Sequence, residues 1–186
     1  MIIDVDSLIK ENLRGKIIVF PTDTVYGLGC LYDDIEMIDR IYRLKSRDYG
    51  KPMAVLANDL EQIKTLVEAN EIFMELAEKY WPGELTLIAR KTAKVSCLAT
   101  ANRDTIGVRI PNHALALRIL SHFGPMVTTS LNQAGQPAVF KYQDAIKYLD
   151  KVDYLVPGGD LQGSASTIYD TITLQVLRQG RVVIKR

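Results

Sequence analysis

The sequence predicts an α/β protein: one domain on an open, twisted, mixed sheet with flanking helices. Three observations carry this. Short runs rich in β-branched residues alternate with amphipathic helical segments through the early part of the chain. Strand-like pieces then cluster toward the end, which makes the sheet mixed rather than purely parallel. The 186 residues, 47% apolar and 24% charged, suffice to bury one sizeable core, and no repeat, low-complexity tract or linker divides them. Residues 1–186 are therefore expected to form a single domain, with no additional C-terminal domain.

The elements follow in order. Residues 4–14 predict a first helix: Val5, Leu8, Ile9 and Leu13 share a face, Asp4 or Asp6 caps it, and Gly15 ends it. Ile17-Ile18-Val19-Phe20 is a strand stopped by Pro21, which cannot donate to a ladder. Thr22-Asp23-Thr24 and the glycines around Leu28 then read as a polar loop at a strand end, where α/β proteins place their chemistry. The same residues also suit an ordinary turn, with Thr22 and Asp23 bonded to nearby backbone. Asp33 or Asp34 caps a second helix carrying Ile35, Ile38, Ile41, Tyr42 and Leu44. Residues 53–57 form a strand, and Asp59 caps a helix carrying Leu60, Ile63, Leu66 and Val67. A helix over 71–80 is broken by Trp81-Pro82-Gly83. Strands at 85–90 and 106–111 bracket an irregular, polar stretch at 92–104. Asn112 caps a helix to about Leu120, a strand covers 126–130, and a helix covers 143–149. Strands are expected at 154–156, 166–170, 174–178 and 181–185.

Composition excludes several classes. A net charge of +1 gives no bulk reason for a polyanion partner, although a local basic patch stays open. Cys30 and Cys97 lie far apart with no metal-type spacing, as expected for reduced thiols in a cytoplasmic protein. The acidic start is unlike a targeting peptide, and no apolar run approaches the roughly 18 residues of a membrane span.

Polar groups collect where strands end: Thr22, Asp23 and Thr24; Arg109; Thr129, Ser130 and Asn132; Ser166 and Thr167; Arg178. If those ends converge, they line a cationic, hydroxyl-rich cleft suited to an anionic, phosphate-bearing ligand. His113 and His122 are expected in solvent, and no Ser–His, Cys–His or metal-ligand spacing occurs. Lys45, Arg47 and Lys51 crowd a turn after a helix. They suit either a solvated helix end or an anion site, since Pro52 fixes the chain directly after them. There is neither a P-loop nor a GxGxxG motif; Gly27-Leu28-Gly29 is only a weak echo.

A series of motifs, in order, resembles the YrdC family, the short threonylcarbamoyl-AMP synthases. Pro21-Thr22-Asp23-Thr24-Val25-Tyr26-Gly27-Leu28-Gly29 is similar to its opening motif, and Lys45-Ser46-Arg47 with Lys51-Pro52 to its KxR element. Trp81-Pro82-Gly83-Glu84-Leu85-Thr86-Leu87 resembles its PGxxT strand, and Val108-Arg109-Ile110-Pro111 its VRxP turn. Ser130-Leu131-Asn132 resembles SxN, while Ser166-Thr167-Ile168 and Arg178-Gln179-Gly180 resemble the closing motifs. The likeness spans about residues 15 to 184. It implies an open sheet around a large positively charged cavity. The implied activity condenses L-threonine, bicarbonate and ATP into threonylcarbamoyl-adenylate and pyrophosphate. A downstream transferase would pass the group to an adenosine of tRNA.

The resemblance also implies roles. Thr24, Arg109, Ser130 and Ser166 would hold L-threonine, with Arg109 on its carboxylate. Lys45, Arg47, Lys51, Thr105, Asn132 and Arg178 would contact ATP, Lys45 and Arg47 also serving catalysis. Mg²⁺ would ride with the triphosphate rather than in a protein cage. Asp23 is placed to act as a base, or equally to be a turn residue. The chain departs from the pattern at Leu56, where relatives carry histidine, at Leu131, which would narrow the pocket or point into the core, and at Ala134. The alternatives are a related carbamoyl- or acyl-adenylating enzyme and a non-catalytic RNA-binding module. Salt-dependent RNA binding without nucleotide turnover would mark the latter.

Overall fold

Alternation along the strands decides what each face of the sheet does. In the computed structural model, which describes residues 1–184, β1 (Ile18–Phe20) pairs antiparallel with β2 (Gly27–Leu31), and β2 with β7 (Met126–Ser130). β7 pairs antiparallel with β3 (Ala54–Leu56), which runs parallel to β6 (Thr105–Arg109). β5 (Leu85–Lys91) joins β6 antiparallel and β9 (Thr167–Asp170) parallel, and β10 (Gln175–Arg178) closes that edge. β8 (Tyr154–Leu155) closes the other edge beside β1, and the short β4 (Val67–Glu68) pairs with β5. The order is β10-β9-β5-β6-β3-β7-β2-β1-β8, a mixed open sheet as expected.

One face is the main core. Val19, Leu28, Val127, Val55, Val108, Leu87 and Tyr169 are buried there, against α2 (Ile35–Lys45), α3 (Leu60–Lys64), α4 (Glu71–Tyr80) and α6 (Tyr142–Ile146). The alternate residues point the other way. Near β1 that second face is covered by α1 (Val5–Leu8) and α5 (Ala114–Phe123), which bury Ile18, Phe20, Leu56 and Met126. The rest of that face is left for the cavity described below.

Caps explain most helix starts. Asp34, Asp59 and Asn70 each accept the backbone N–H three residues on. Several expectations need correction. The first helix is a single turn rather than 4–14: after Leu8 the bonds tighten to Lys10 N on the Ser7 carbonyl and Glu11 N on the Leu8 carbonyl. The helix after Asp59 stops at Lys64, and Val67 enters β4 instead. His113, not Asn112, precedes α5, and its side chain makes no capping bond. Residues 181–184 are not in a strand; residue 185 lies outside the described residues.

The largest correction concerns Gly27 and Gly29. They lie inside β2 and not in a loop, paired on one side with β1 and on the other with β7. A Cβ at Gly29 would meet Thr128 Oγ1 and the Val127 carbonyl at 2.9 Å, and one at Gly27 would meet Thr128 Cγ2 at 2.9 Å. These glycines let strands approach and keep a floor low.

A cationic cavity on the face of the sheet

The small residues of the second face form the floor of a cavity of about 510 Å³, within the usual range for small-molecule sites. Its lining crosses the sheet through Gly27, Ser130, Thr128, Ala54, Arg109, Thr86, Ile168 and Arg178. Register explains this. Gly27 lies opposite Ser130, Ala54 opposite both Thr128 and Gly107, and Leu56 opposite Arg109, so all share one face. The site therefore lies across the face of the sheet, and the polar groups expected from strand ends, Thr22, Thr24, Arg109, Thr129, Ser130, Ser166 and Arg178, converge on it. Pro137, Ala138 and Phe140 bound it from one loop, Gly163 and Ala165 from another.

Its cations are held by neutral oxygens. Arg47 Nε donates to the Lys51 carbonyl at 3.1 Å and its Nη2 to the Pro52 carbonyl at 2.8 Å. Arg178 Nε donates to the Ser166 carbonyl at 2.9 Å and its Nη2 to Ser166 Oγ at 3.0 Å. Lys45, only 1% exposed, donates to the Ser130 carbonyl and, at 2.8 and 2.6 Å, to the carbonyl and Oδ1 of Asn132. None of the three has a carboxylate within ion-pair distance among the described residues. Uncompensated cations around a concave, partly dry site make an anion receptor.

Arg109 differs. Its Nε donates to the Gly83 carbonyl at 2.8 Å, Nη1 to Thr24 Oγ1 at 3.2 Å, and Nη2 forms an ion pair with Asp23. Burial lowers its pKa, and the Asp23 charge opposes that. Asp23 is thus neither the expected backbone-bonded turn residue nor a lining group of the cavity; its carboxylate is spent on Arg109. The turn bonds belong to Thr22, whose Oγ1 donates to the Val25 carbonyl at 2.7 Å.

Of the residues named from sequence, Thr24, Arg47, Arg109, Ser130, Ser166 and Arg178 line the cavity together. Lys45 and Asn132 stand just behind Ser130, whose Oγ lies 2.9 Å from Asn132 Oδ1. Lys51 is exposed and does not line it. Thr105 opens β6 opposite Arg90, at the far end of the strand from Arg109, and does not line it either. Leu131 is fully buried in the main core, so it does not narrow the pocket, whereas Leu56 does line it. Sequence reading missed Thr86, bonded at 2.9 Å to Ser166 Oγ, and Thr128. For Thr86 the signal was available, a lone hydroxyl between Leu85 and Leu87 in a strand.

Burial, with Arg47 adding to it, pushes the Lys45 ammonium down to about 7. The unfolded chain keeps this proton to about pH 10.4, so between those values folding releases it and rising pH favours the folded state. Relative to a Lys45→Met variant, the wild type should gain about 2 kcal/mol of unfolding free energy from pH 7 to pH 9. Denaturant titrations at the two pH values check this; parallel behaviour of the two proteins would contradict it.

The family model Sua5_yciO_yrdC, described as telomere recombination, matches residues 11–180. A threonylcarbamoyl-AMP synthase of Vibrio vulnificus strain YJ016 is 28% identical over 97% of this chain and 100% of its own length. The crystal structure of Pyrococcus abyssi Sua5 complexed with L-threonine superposes with a TM-score of 0.92 at 30% identity. The match covers 97% of this chain and 57% of that one. The chain thus spans little more than half of that archaeal relative. E. coli YciO aligns with a TM-score of 0.87 at 28% identity, over 100% of this chain and 96% of its own. Among the described residues no helix is long and apolar enough to cross a membrane.

Proposed function

This chain belongs to the Sua5/YciO/YrdC family, and from that premise we propose that it condenses L-threonine, bicarbonate and ATP into L-threonylcarbamoyl-AMP and pyrophosphate. The observation that carries this reading is the cavity itself. Two cations without carboxylate partners, Arg47 and Arg178, line a hydroxyl-bearing floor that also presents Arg109. The two ligand chemistries this serves are a polyphosphate and an amino-acid carboxylate.

In this reading Arg109 receives the threonine carboxylate as a planar fork, with Thr24, Ser130 and Ser166 around it. Arg47 and Arg178 hold the nucleotide, and Lys45 with Asn132 sets the wall at Ser130 from behind. The threonine amine takes up carbon dioxide from bicarbonate as a carbamate. A carbamate oxygen attacks the α-phosphorus, that bond forms as the α,β-bridging bond breaks, and pyrophosphate leaves. Charge grows on the bridging and leaving oxygens, where Arg47 is placed to offset it. The lining carries no carboxylate, so a Mg²⁺ ion would be held by the triphosphate oxygens; bound there it would neutralise phosphate charge. The adenylate is a reactive mixed anhydride. It would pass to a transferase acting on tRNA in the cytoplasm.

The test is pyrophosphate release by the purified protein with ATP and Mg²⁺. Release that requires both L-threonine and bicarbonate supports the synthase. Release with a different acyl donor instead would reassign the substrate, and RNA binding with no turnover would reassign the class. Within this reading, Arg47→Ala should lose one charged hydrogen bond, about 1.5–3 kcal/mol, or roughly 10- to 100-fold in rate or ATP affinity. Full activity in that variant would remove Arg47 from the site.

A further inference from the structure

Among the described residues, two buried side-chain polar atoms have no hydrogen-bond partner: Asp23 Oδ2 and His113 Nδ1. Each lacks what the other supplies. A carboxylate oxygen is an acceptor, and an imidazole nitrogen is a donor when it carries the proton. Asp23 is 11% exposed and Arg109 6%, and Oδ1 is already engaged by the guanidinium, so Oδ2 faces away from solvent with lone pairs unused. His113 precedes α5, four residues beyond Arg109, and its side chain does not cap that helix. Burial pushes its imidazole toward the neutral form, and Asp23 is the charge that opposes this, which sets the two side chains within electrostatic reach. Neither residue lines the cavity. Asp23 meets Arg109 from outside the cavity lining.

We propose that Arg109, Asp23 and His113 form a relay in which His113 donates Nδ1–H to a bridging water that donates to Asp23 Oδ2, and Asp23 fixes the guanidinium that faces the cavity. His113 and Asp23 are then positioning residues, acting on the substrate only through Arg109. This rests on the reading above that Arg109 receives an amino-acid carboxylate. The physical gain is orientation. A guanidinium anchored by Gly83, Thr24 and Asp23 keeps its remaining N–H groups aimed at one place, and a carboxylate tied at both oxygens cannot swing off it. Without the His113 bond, Asp23 is held at one oxygen only, and the aim of Arg109 loosens.

The chain has only two histidines, which makes a direct test practical. Imidazole ¹⁵N spectra of the protein, with His122→Asn assigning the signals, report which nitrogen of His113 carries the proton. We expect the Nδ1–H tautomer in the wild type and its loss in Asp23→Asn. An Nε2–H tautomer, or one indifferent to Asp23→Asn, overturns the relay. In pyrophosphate-release kinetics, His113→Leu should raise KM for L-threonine about ten-fold, as for one lost hydrogen bond to a charged group, with KM for ATP nearly unchanged. His113→Asn, which keeps an N–H near the Nδ1 position, should restore it. A His113→Leu enzyme with wild-type KM for L-threonine, or an equal rise in both KM values, would also overturn it. If release proves independent of any amino acid, the reading of Arg109 fails, and the tautomer experiment still decides the relay.

Discussion

Replacing Arg109 by glutamine should give the largest loss of any single change in the cavity, and the loss should appear twice. The first part is stability. The guanidinium and the Asp23 carboxylate are 6% and 11% exposed, so removing the cation leaves a buried carboxylate with no counter-charge. Breaking such a pair from one side costs about 3–5 kcal/mol. The second part is recognition: losing a two-pronged contact to the substrate carboxylate should weaken threonine use by about 100-fold, at roughly 3 kcal/mol for two charge-assisted hydrogen bonds. The two parts separate in Arg109→Gln/Asp23→Asn. There the buried charge is gone, so most of the melting temperature should return, while KM for L-threonine should stay high. A double variant that regains neither would mean that the Arg109 contacts to Gly83 and Thr24 hold the fold. Normal threonine use by Arg109→Gln would dismiss it as the carboxylate receptor.

The sheet was legible in the sequence wherever an apolar run coincided with a strand, as at Ile18–Phe20, Leu85–Lys91 and Met126–Ser130. β2 was not, because two of its residues are glycines. Glycine is depleted in strands for good physical reason, and here it is required by the close approach of Thr128 from the neighbouring strand. The same fact hid the location of the site. Sequence reading puts polar residues at strand ends because open α/β sheets usually bind there. In this fold the hydroxyls of Thr86 and Thr128 alternate with the core residues Leu87 and Val127, so the binding surface is the back of the main core. Six residues singled out through the motifs line the cavity together, since motif order does not depend on where the group assembles. The motifs could not show which groups stand behind it. Lys45 meets the backbone of residues 130 and 132, and Asp23 meets Arg109, across 85 to 87 residues of sequence. Only the folded chain brings such partners together. His113 was expected in solvent, but the fold buries its Nδ1.

The second large effect should come from Gly180, which no catalytic reading singles out. A Cβ there would fall on the Ala165 carbonyl oxygen, 2.6 Å from Thr167 N and 2.7 Å from the Ser166 carbonyl carbon. All three are backbone atoms, so no rotamer change relieves the overlap. Gly180 N also donates to Thr167 Oγ1 at 2.9 Å, and Thr167 N to the Glu84 carbonyl at 2.9 Å, which ties this crossing to the start of β5 and β9. Gly180→Ala must therefore open the crossing or push residues 165–167 toward the cavity. Overpacking of this kind costs about 3 kcal/mol, or roughly 10 °C of melting temperature at this chain length. Because Ser166 accepts from Arg178 and bonds Thr86, the displacement should reach both substrates, raising KM for L-threonine and for ATP together. That joint rise distinguishes it from the Arg47 and His113 variants, each expected to move one KM. A Gly180→Ala protein that melts within about 2 °C of wild type would show that this crossing yields more easily than its backbone contacts indicate. The dependence of Ser166 on Gly180 would then have to be abandoned.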